Sequence, residues 1–457
     1  MSCRPSLAAL VTIVASAALS SAVQMPLADA ARAVSPGNPE HGGAGPDAIG
    51  AGIERHATKH KRNRSSKHRC AHRRSSRKHH RRPCVDPKVS NARKTRKPAR
   101  TLPPSGGTVG TNPYGPVGES NPRAGDDPTV ASITPWKTQA APMAWAGGRI
   151  YYNQRAENGV FNGWSANPDG SDPTCVTCGA IYPAGTQHGV SDASPDGQYL
   201  LTTIERASHP PFAVGGEMAA PGKGAFNDLW LQAADGSHAW QLTNVLVSGT
   251  SALIWPRFDP SGSRVVWSEQ WQWGAPFGGW RLHVAELTWV NGVPSLTNER
   301  TLQSSGLLEP YGFTADGSKV LFAADALAGT AWDDLQIMTL PASLEGPATR
   351  LSPHDASETE PFGDYNEFAF PIPGSGRIIF ASSVGAYLES LEYWTVNTDG
   401  SDPRQLTWLS VPWSSQYHGY PSLAAALAFD PSDPKRFVAG IETDYHDDFK
   451  SLMITLN

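Results

Sequence analysis

Residues 167–178 read NPDGSDPTCVTC, residues 397–408 read NTDGSDPRQLTW, and residues 233–244 read AADGSHAWQLTN. The shared DGS is a tight turn, because Asp and Gly accept backbone angles that other residues resist. The flanking residues are β-branched, aromatic or alternating, which is strand chemistry. Each copy therefore reads as a hairpin, joining the third strand of a unit to its fourth. Its recurrence implies that the same unit is built more than once.

Working outward, six runs resemble one another: RIYYNQ from Arg149, QYLLTTIE from Gln198, RVVWSEQ from Arg264, KVLFAAD from Lys319, RIIFASS from Arg377 and RFVAGIE from Arg436. Turn residues precede each, and a second strand-like run follows each. A four-stranded antiparallel unit repeated about every 55 residues is a propeller blade. The chain of 457 residues, with 44 Gly, 39 Pro and 15 Trp, suits many short strands better than long helices. The sixth unit stops at LMITLN, its third strand, whereas SITPWKT (Ser132–Thr138) stands before the first unit without a partner. That segment is expected to supply the sixth blade's outer strand and close the ring. The fold expected is all-β: a six-bladed β-propeller of four-stranded antiparallel blades over residues 132–457.

The pattern SPDG, strand, DLW, DGS, QLT resembles the TolB-like β-propeller repeat. Blades two, three and five carry it best. Blade four lacks the DGS turn, and blade six has DPSDPK in place of SPDG. The resemblance implies six blades. It implies no single function, since such repeats serve periplasmic scaffolds, peptidase gating domains and other secreted proteins.

The N-terminal residues carry different signals. One Arg precedes an apolar run from Leu7 to Val23, and Ala28-Asp29-Ala30 offers a cleavage site. Residues 1–30 thus read as a secretory signal peptide, and no later stretch is long enough to act as a transmembrane segment. A secreted chain, extracellular, periplasmic or wall-associated, is expected, and a monomer. Residues 31–131 read as a disordered polybasic and Pro/Gly-rich linker. Within 55–100 stand 19 Lys and Arg against Asp86 alone, whereas residues 101–457 hold 17 Lys and Arg against 37 Asp and Glu. The basic tract is either a solvated tail or an attachment to an anionic cell-wall polymer. In an oxidising compartment, Cys175 and Cys178 are expected to form a local disulfide, which needs a bend between them. Cys70 and Cys84 could pair across the basic tract.

Loop lengths divide the ring. The SPDG and most DGS turns are short and share one face, while the second-to-third and fourth-to-first connections are long and emerge on the other. Binding is expected on the long-loop face. Two similar contexts stand there, TQHG with Gln187 and His188, and QYHG with Gln416 and His418. The acids Glu309, Glu358 and Glu360 accompany them. His188 and His418 are either solvated loop residues or, with a carboxylate, a weak candidate pair for a transition metal. Trp271 and Trp273, in SEQWQWGAPFGGW, could stack on a sugar or a protein partner, or fold inward as local core. Asp228, Asp334 and Asp448 each begin a third strand and read as turn-capping carboxylates.

QYHGYPS and FDPSDPKRFVAG resemble the final-blade pattern of oligogalacturonate lyases, over one blade and without the paired His of that family. That resemblance implies a metal-dependent lyase or hydrolase acting on acidic polysaccharide. No G-x-S-x-G elbow, H-E-x-x-H helix or phosphate loop appears, so no nucleophile is identified and no cofactor is expected. The leading expectation is a binding module for an extracellular protein or glycan; the lyase is the alternative.

Overall fold

The computed structural model describes residues 129–179, 181–209, 216–245, 251–272, 278–325, 334–353, 365–384, 390–419, 422–443 and 449–457. The expected signal peptide, the basic tract, Cys70 and Cys84 lie outside the described residues.

Strand β1 (Val130–Thr138) comes first. Blade one is β2 (Ala141–Ala146), β3 (Arg149–Arg155), β4 (Phe161–Ala166) and β5 (Thr174–Cys175). Blade two is β6 (His188–Ala193), β7 (Tyr199–Glu205), β8 (Asn227–Ala233) and β9 (Ala239–Gln241), with a short 3-10 helix (Gly216–Ala219) before β8. Blade three is β10 (Leu253–Phe258), β11 (Arg264–Gln272), β12 (Gly279–Val290) and β13 (Val293–Ser304). Blade four is β14 (Leu308–Phe313), β15 (Lys319–Ala324), β16 (Gln336–Pro341) and β17 (Thr349–Arg350). Blade five is β18 (Asn366–Pro371), β19 (Arg377–Ser382), β20 (Glu392–Asn397) and β21 (Arg404–Gln405). Blade six has β22 (Ser422–Asp430), β23 (Asp433–Thr443) and β24 (Phe449–Leu456).

Each blade is one four-stranded sheet of antiparallel neighbours, and the sixth has the order β1-β24-β23-β22. Ile133 faces Ile454 and Pro135 faces Leu452 across the closing pair. The early strand thus completes the last blade as its sequence predicts. Each inner strand packs on the next, and β22 packs on β2, so the blades form a closed ring.

The DGS phrase behaves as its chemistry requires. The Asp169, Asp235 and Asp399 carboxylates each accept a hydrogen bond of 2.9 Å from the amide of Ser171, Ser237 or Ser401. Gly170, Gly236 and Gly400 take φ of 81°, 76° and 85°, where a side chain is strained. Two copies read GSDP for a further reason. Arg149 pairs with Asp172 at 3.0 Å, and Arg377 pairs with Asp402 at 2.9 Å. In both, a second-strand Arg pins the turn beside it. Blade three replaces the phrase with Asn291-Gly292, whose φ values of 51° and 77° suit a two-residue hairpin. Cys175 and Cys178 form the expected disulfide, with Cα atoms 5.6 Å apart.

The inner strands lose period-two alternation because neighbouring blades cover both faces. All six residues of β10 (LIWPRF) and of β14 (LEPYGF) are buried. The outer strands β1 and β13 are mostly exposed or half-buried. Second-strand side chains such as Leu200, Val320, Phe322, Ile378 and Phe380 are fully buried between blades. Each such side chain contributes roughly 1.5–3 kcal/mol of apolar burial.

Candidate functional site

The channel is shaped by one recurring irregularity. Every inner strand breaks register with its second strand near its middle: between Pro142 and Ala144, Val190 and Asp192, Ile254 and Arg257, Pro310 and Gly312, Glu367 and Phe370, and Ala424 and Leu427. A bulge re-aims the side chains beside it. Here it brings Met143, Trp255, Tyr311 and Phe368, from four blades, into one buried cluster. Trp255 and Phe368 meet edge to face at 5.7 Å, and Tyr311 lies 6.0 Å from Phe368. Trp255 and Phe368 hold positive φ of 49° and 54°, a strained setting for aromatic residues. These four side chains plug the channel and separate a long-loop end from a short-turn end.

The long-loop end holds a cavity of about 90 Å³. Pro142, Phe161, Pro221, Trp255, Phe368 and Phe449 form much of its apolar wall, and Asn153, Arg155, Gln187 and Lys223 add polar groups. Pro221 and Lys223 come from the long connection between β7 and β8, which folds over the cavity. The Gln187 side chain is fixed there, its Oε1 accepting from the Phe161 backbone amide at 2.7 Å, while the Gln187 backbone N–H donates to Glu205 at 2.7 Å.

The other residues singled out from sequence are placed as follows. His188 is buried at the start of β6. One ring nitrogen lies 3.2 Å from the Thr177 carbonyl, and the other lies 2.9 Å from the Thr186 hydroxyl and 3.1 Å from the Pro183 carbonyl. Burial pushes its pKa down. His418 Nδ1 lies 2.7 Å from the Gln416 carbonyl, and the Gln416 side chain accepts from the Trp408 amide at 3.0 Å. Each imidazole is thus held by carbonyls of its own loop. Among the described residues, no three His, Cys, Asp or Glu side chains gather as a metal-holding group. Trp271 is half-buried, donates from Nε1 to the Ser304 carbonyl at 3.0 Å, and has Arg281 over its ring at 5.7 Å. Glu358, Glu360, Trp273 and Asp448 lie outside the described residues.

Glu309 stands on β14 just before the bulge, fully inside the ring. Sequence reading does not foresee its neighbours. Glu367 occupies the matching position on β18, and Tyr365 donates to it at 3.1 Å. Burial pushes Glu309 up to about 7, against the lowering influence of the Tyr311 and Trp255 side chains beside it. Burial, and then the charges of Glu309 and Glu442, push Glu367 well above the usual carboxylate range. A different buried acid, Glu392, caps the chain after β21. It accepts from the amides of Leu409 and Ser410 at 2.8 and 2.9 Å. Asp228 does the same work in blade two, accepting from the Val245 amide at 2.8 Å and pairing with Arg206 at 2.7 Å. The missed signal is positional: a lone charged residue inside an otherwise apolar inner strand, as in LIWPRF and NEFAF.

No family model and no curated protein matches the chain. Solved structures that resemble it include TolB from Acinetobacter baumannii, at 14% identity and a TM-score of 0.40, covering 67% of this chain and 63% of that one. A Mycobacterium tuberculosis puromycin-hydrolyzing peptidase matches at 15% and 0.39, covering 72% and 56%. Trypanosoma rangeli sialidase matches at 10% and 0.43, covering 73% and 59%. The chain therefore spans less than two thirds of each of these proteins. The propeller itself rests on the six closed sheets, which agree with the architecture that the TolB-like repeat implies.

Proposed function

We propose that this chain is a secreted binding module whose propeller takes a protein ligand on its long-loop face, with the cationic tract 54–100 holding it to an anionic envelope polymer. The observation that carries the first part is the apolar cavity at the long-loop end of the plugged channel. Its size suits one apolar side chain of a partner, an anchor of the kind that dominates protein interfaces. Arg155, Gln187, Lys223 and Asn153 add the polar groups that fix orientation. The carbonyl-held His188 and His418 give the alternative, a metal-dependent lyase acting on acidic polysaccharide, no support of its own.

Peptide and glycan arrays probed with the full chain test the reading. Binding to peptides with an apolar anchor residue is expected, weakened about tenfold or more by Phe161→Ser combined with Lys223→Ala. Binding to glycans alone, or peptide binding that the double variant leaves intact, contradicts it.

A further inference from the structure

Blade one ends in Cys175-Val176-Thr177-Cys178, where blade two has Gln241-Leu242-Thr243-Asn244 and blade five has Gln405-Leu406-Thr407-Trp408. The three stretches occupy one place in the fold. Cys175, Gln241 and Gln405 each face a third-strand Trp: Trp164, Trp230 and Trp394. Each chain then turns by the same bonds. The amides of Val176 and Thr177 donate to the Gly163 carbonyl at 2.9 and 3.4 Å. Those of Leu242 and Thr243 donate to the Leu229 carbonyl at 2.8 and 3.3 Å, and those of Leu406 and Thr407 to the Tyr393 carbonyl at 2.8 and 3.3 Å. The Thr hydroxyl accepts in return from the amide of the same third-strand residue, at 2.8, 2.9 and 2.9 Å.

Two of these bends hold without sulfur. In each, the Gln side chain donates to the Thr carbonyl at 2.8 Å. In blade one the Cys175–Cys178 disulfide stands in place of that latch. The Thr177 carbonyl there lies 3.2 Å from His188 Nδ1 instead, and the Val176 carbonyl accepts from the Gln232 side chain at 2.7 Å. Thr177 is fully buried. The bend is therefore anchored to β4, β6 and β8 by bonds that do not involve the sulfurs. A ring closed over so few residues also removes little entropy from the unfolded chain, so it contributes little as a staple. Its position suits another task. Cys178 is exposed and Cys175 half-buried, so a thiolate can reach a sulfur without any opening of the fold.

We propose that Cys175 and Cys178 form a reversible thiol–disulfide exchange site for an external thiol, on a backbone that is the same in both redox states. A thiolate attacks the Cys178 sulfur and forms a mixed disulfide. The Cys175–Cys178 bond breaks, and Cys175 leaves as a thiolate that takes up a proton. A second thiolate attacks the bound substrate sulfur, which makes the substrate disulfide and releases Cys178 to be protonated in turn. Two thiols are oxidised to one disulfide, and the cysteine pair gains two electrons and two protons. The site does not rest on the reading given for the long-loop face. The thiol could belong to a small molecule or to a protein chain.

Reduction of the full chain by glutathione, and separately by a cysteine-containing peptide, followed by alkylation and peptide mapping, tests this. Mapping separates Cys175 and Cys178 from Cys3, Cys70 and Cys84. In native buffer the pair is expected to be reduced within about tenfold of its rate in the urea-unfolded chain, with the mixed disulfide on Cys178. A bond shielded by the fold reacts about a thousandfold or more slowly. The reduced chain should keep its circular dichroism and its cooperative unfolding, and oxidised glutathione should restore the bond. Cys175→Gln combined with Cys178→Asn writes the blade-two latch into blade one, and this variant should fold. Reaction with glutathione assigns a small thiol, and reaction with the peptide alone assigns a protein thiol. Reaction with neither, a thousandfold slowing in native buffer, or loss of the folded spectrum on reduction overturns the proposal. So does failure of the double variant to fold, since the bend would then depend on the sulfurs.

Discussion

The two ends of the channel are built by the same six strands, yet they handle buried charge differently. On the long-loop side of the plug stand Glu309 and Glu367, with Tyr365 bonded to Glu367 at 3.1 Å. On the short-turn side Arg257 is buried, donating to two carbonyls and lying 3.8 Å from Asp192. The difference lies in how each residue escapes the cost of burial. A carboxyl raised to about 7 takes up a proton near neutrality and becomes an uncharged hydrogen-bonding group. A guanidinium has no such exit. The acidic end can therefore shed its charge within the fold, whereas the basic end keeps its charge, with Asp192 3.8 Å away.

The largest expected effect comes from removing what separates the ends. Phe368 is 2% exposed and touches Trp255 and Tyr311 across the axis. Phe368→Ala should cost about 3–5 kcal/mol, read as a lower urea midpoint at unchanged slope. A loss under about 1 kcal/mol would show that no close-packed plug exists.

A smaller effect distinguishes the acidic end. The folded pKa of Glu309 lies above its ordinary value, so the fold favours the protonated form. Its contribution is fully present below about 4.5 and is lost as pH rises through about 7. Glu309→Gln mimics the protonated acid. It should stabilise the chain on the order of 2–3 kcal/mol at pH 8, have little effect at pH 4.5, and flatten the pH dependence between them. Denaturation midpoints across that range check it. Equal effects at both pH values would mean that Glu309 is an ordinary ionised residue.

How much of this was legible in the sequence follows from where each signal is stored. The blades, the DGS turns and the Cys175–Cys178 bend are local chemistry, written within a dozen residues and repeated. The closing strand was legible by subtraction, since blade six lacked an outer strand and Ser132–Thr138 lacked a partner. The channel was not legible, because it is made by single residues more than 50 positions apart that meet only once a bulge turns them to the axis. WPRF and NEFAF look like ordinary strand text. The histidine contexts TQHG and QYHG looked alike in sequence, yet each ring is fixed by its own loop. Of the polar residues picked out for a site, Gln187 lines the long-loop cavity, and Glu309 stands buried beside the plug.

The central claim is that four side chains from four blades close the axis and leave two unlike ends. A crystal structure of the full chain tests this most directly. The account predicts Met143, Trp255, Tyr311 and Phe368 in contact on the axis, with the long-loop cavity on one side and Arg257 on the other. A continuous water-filled channel through the ring would contradict it.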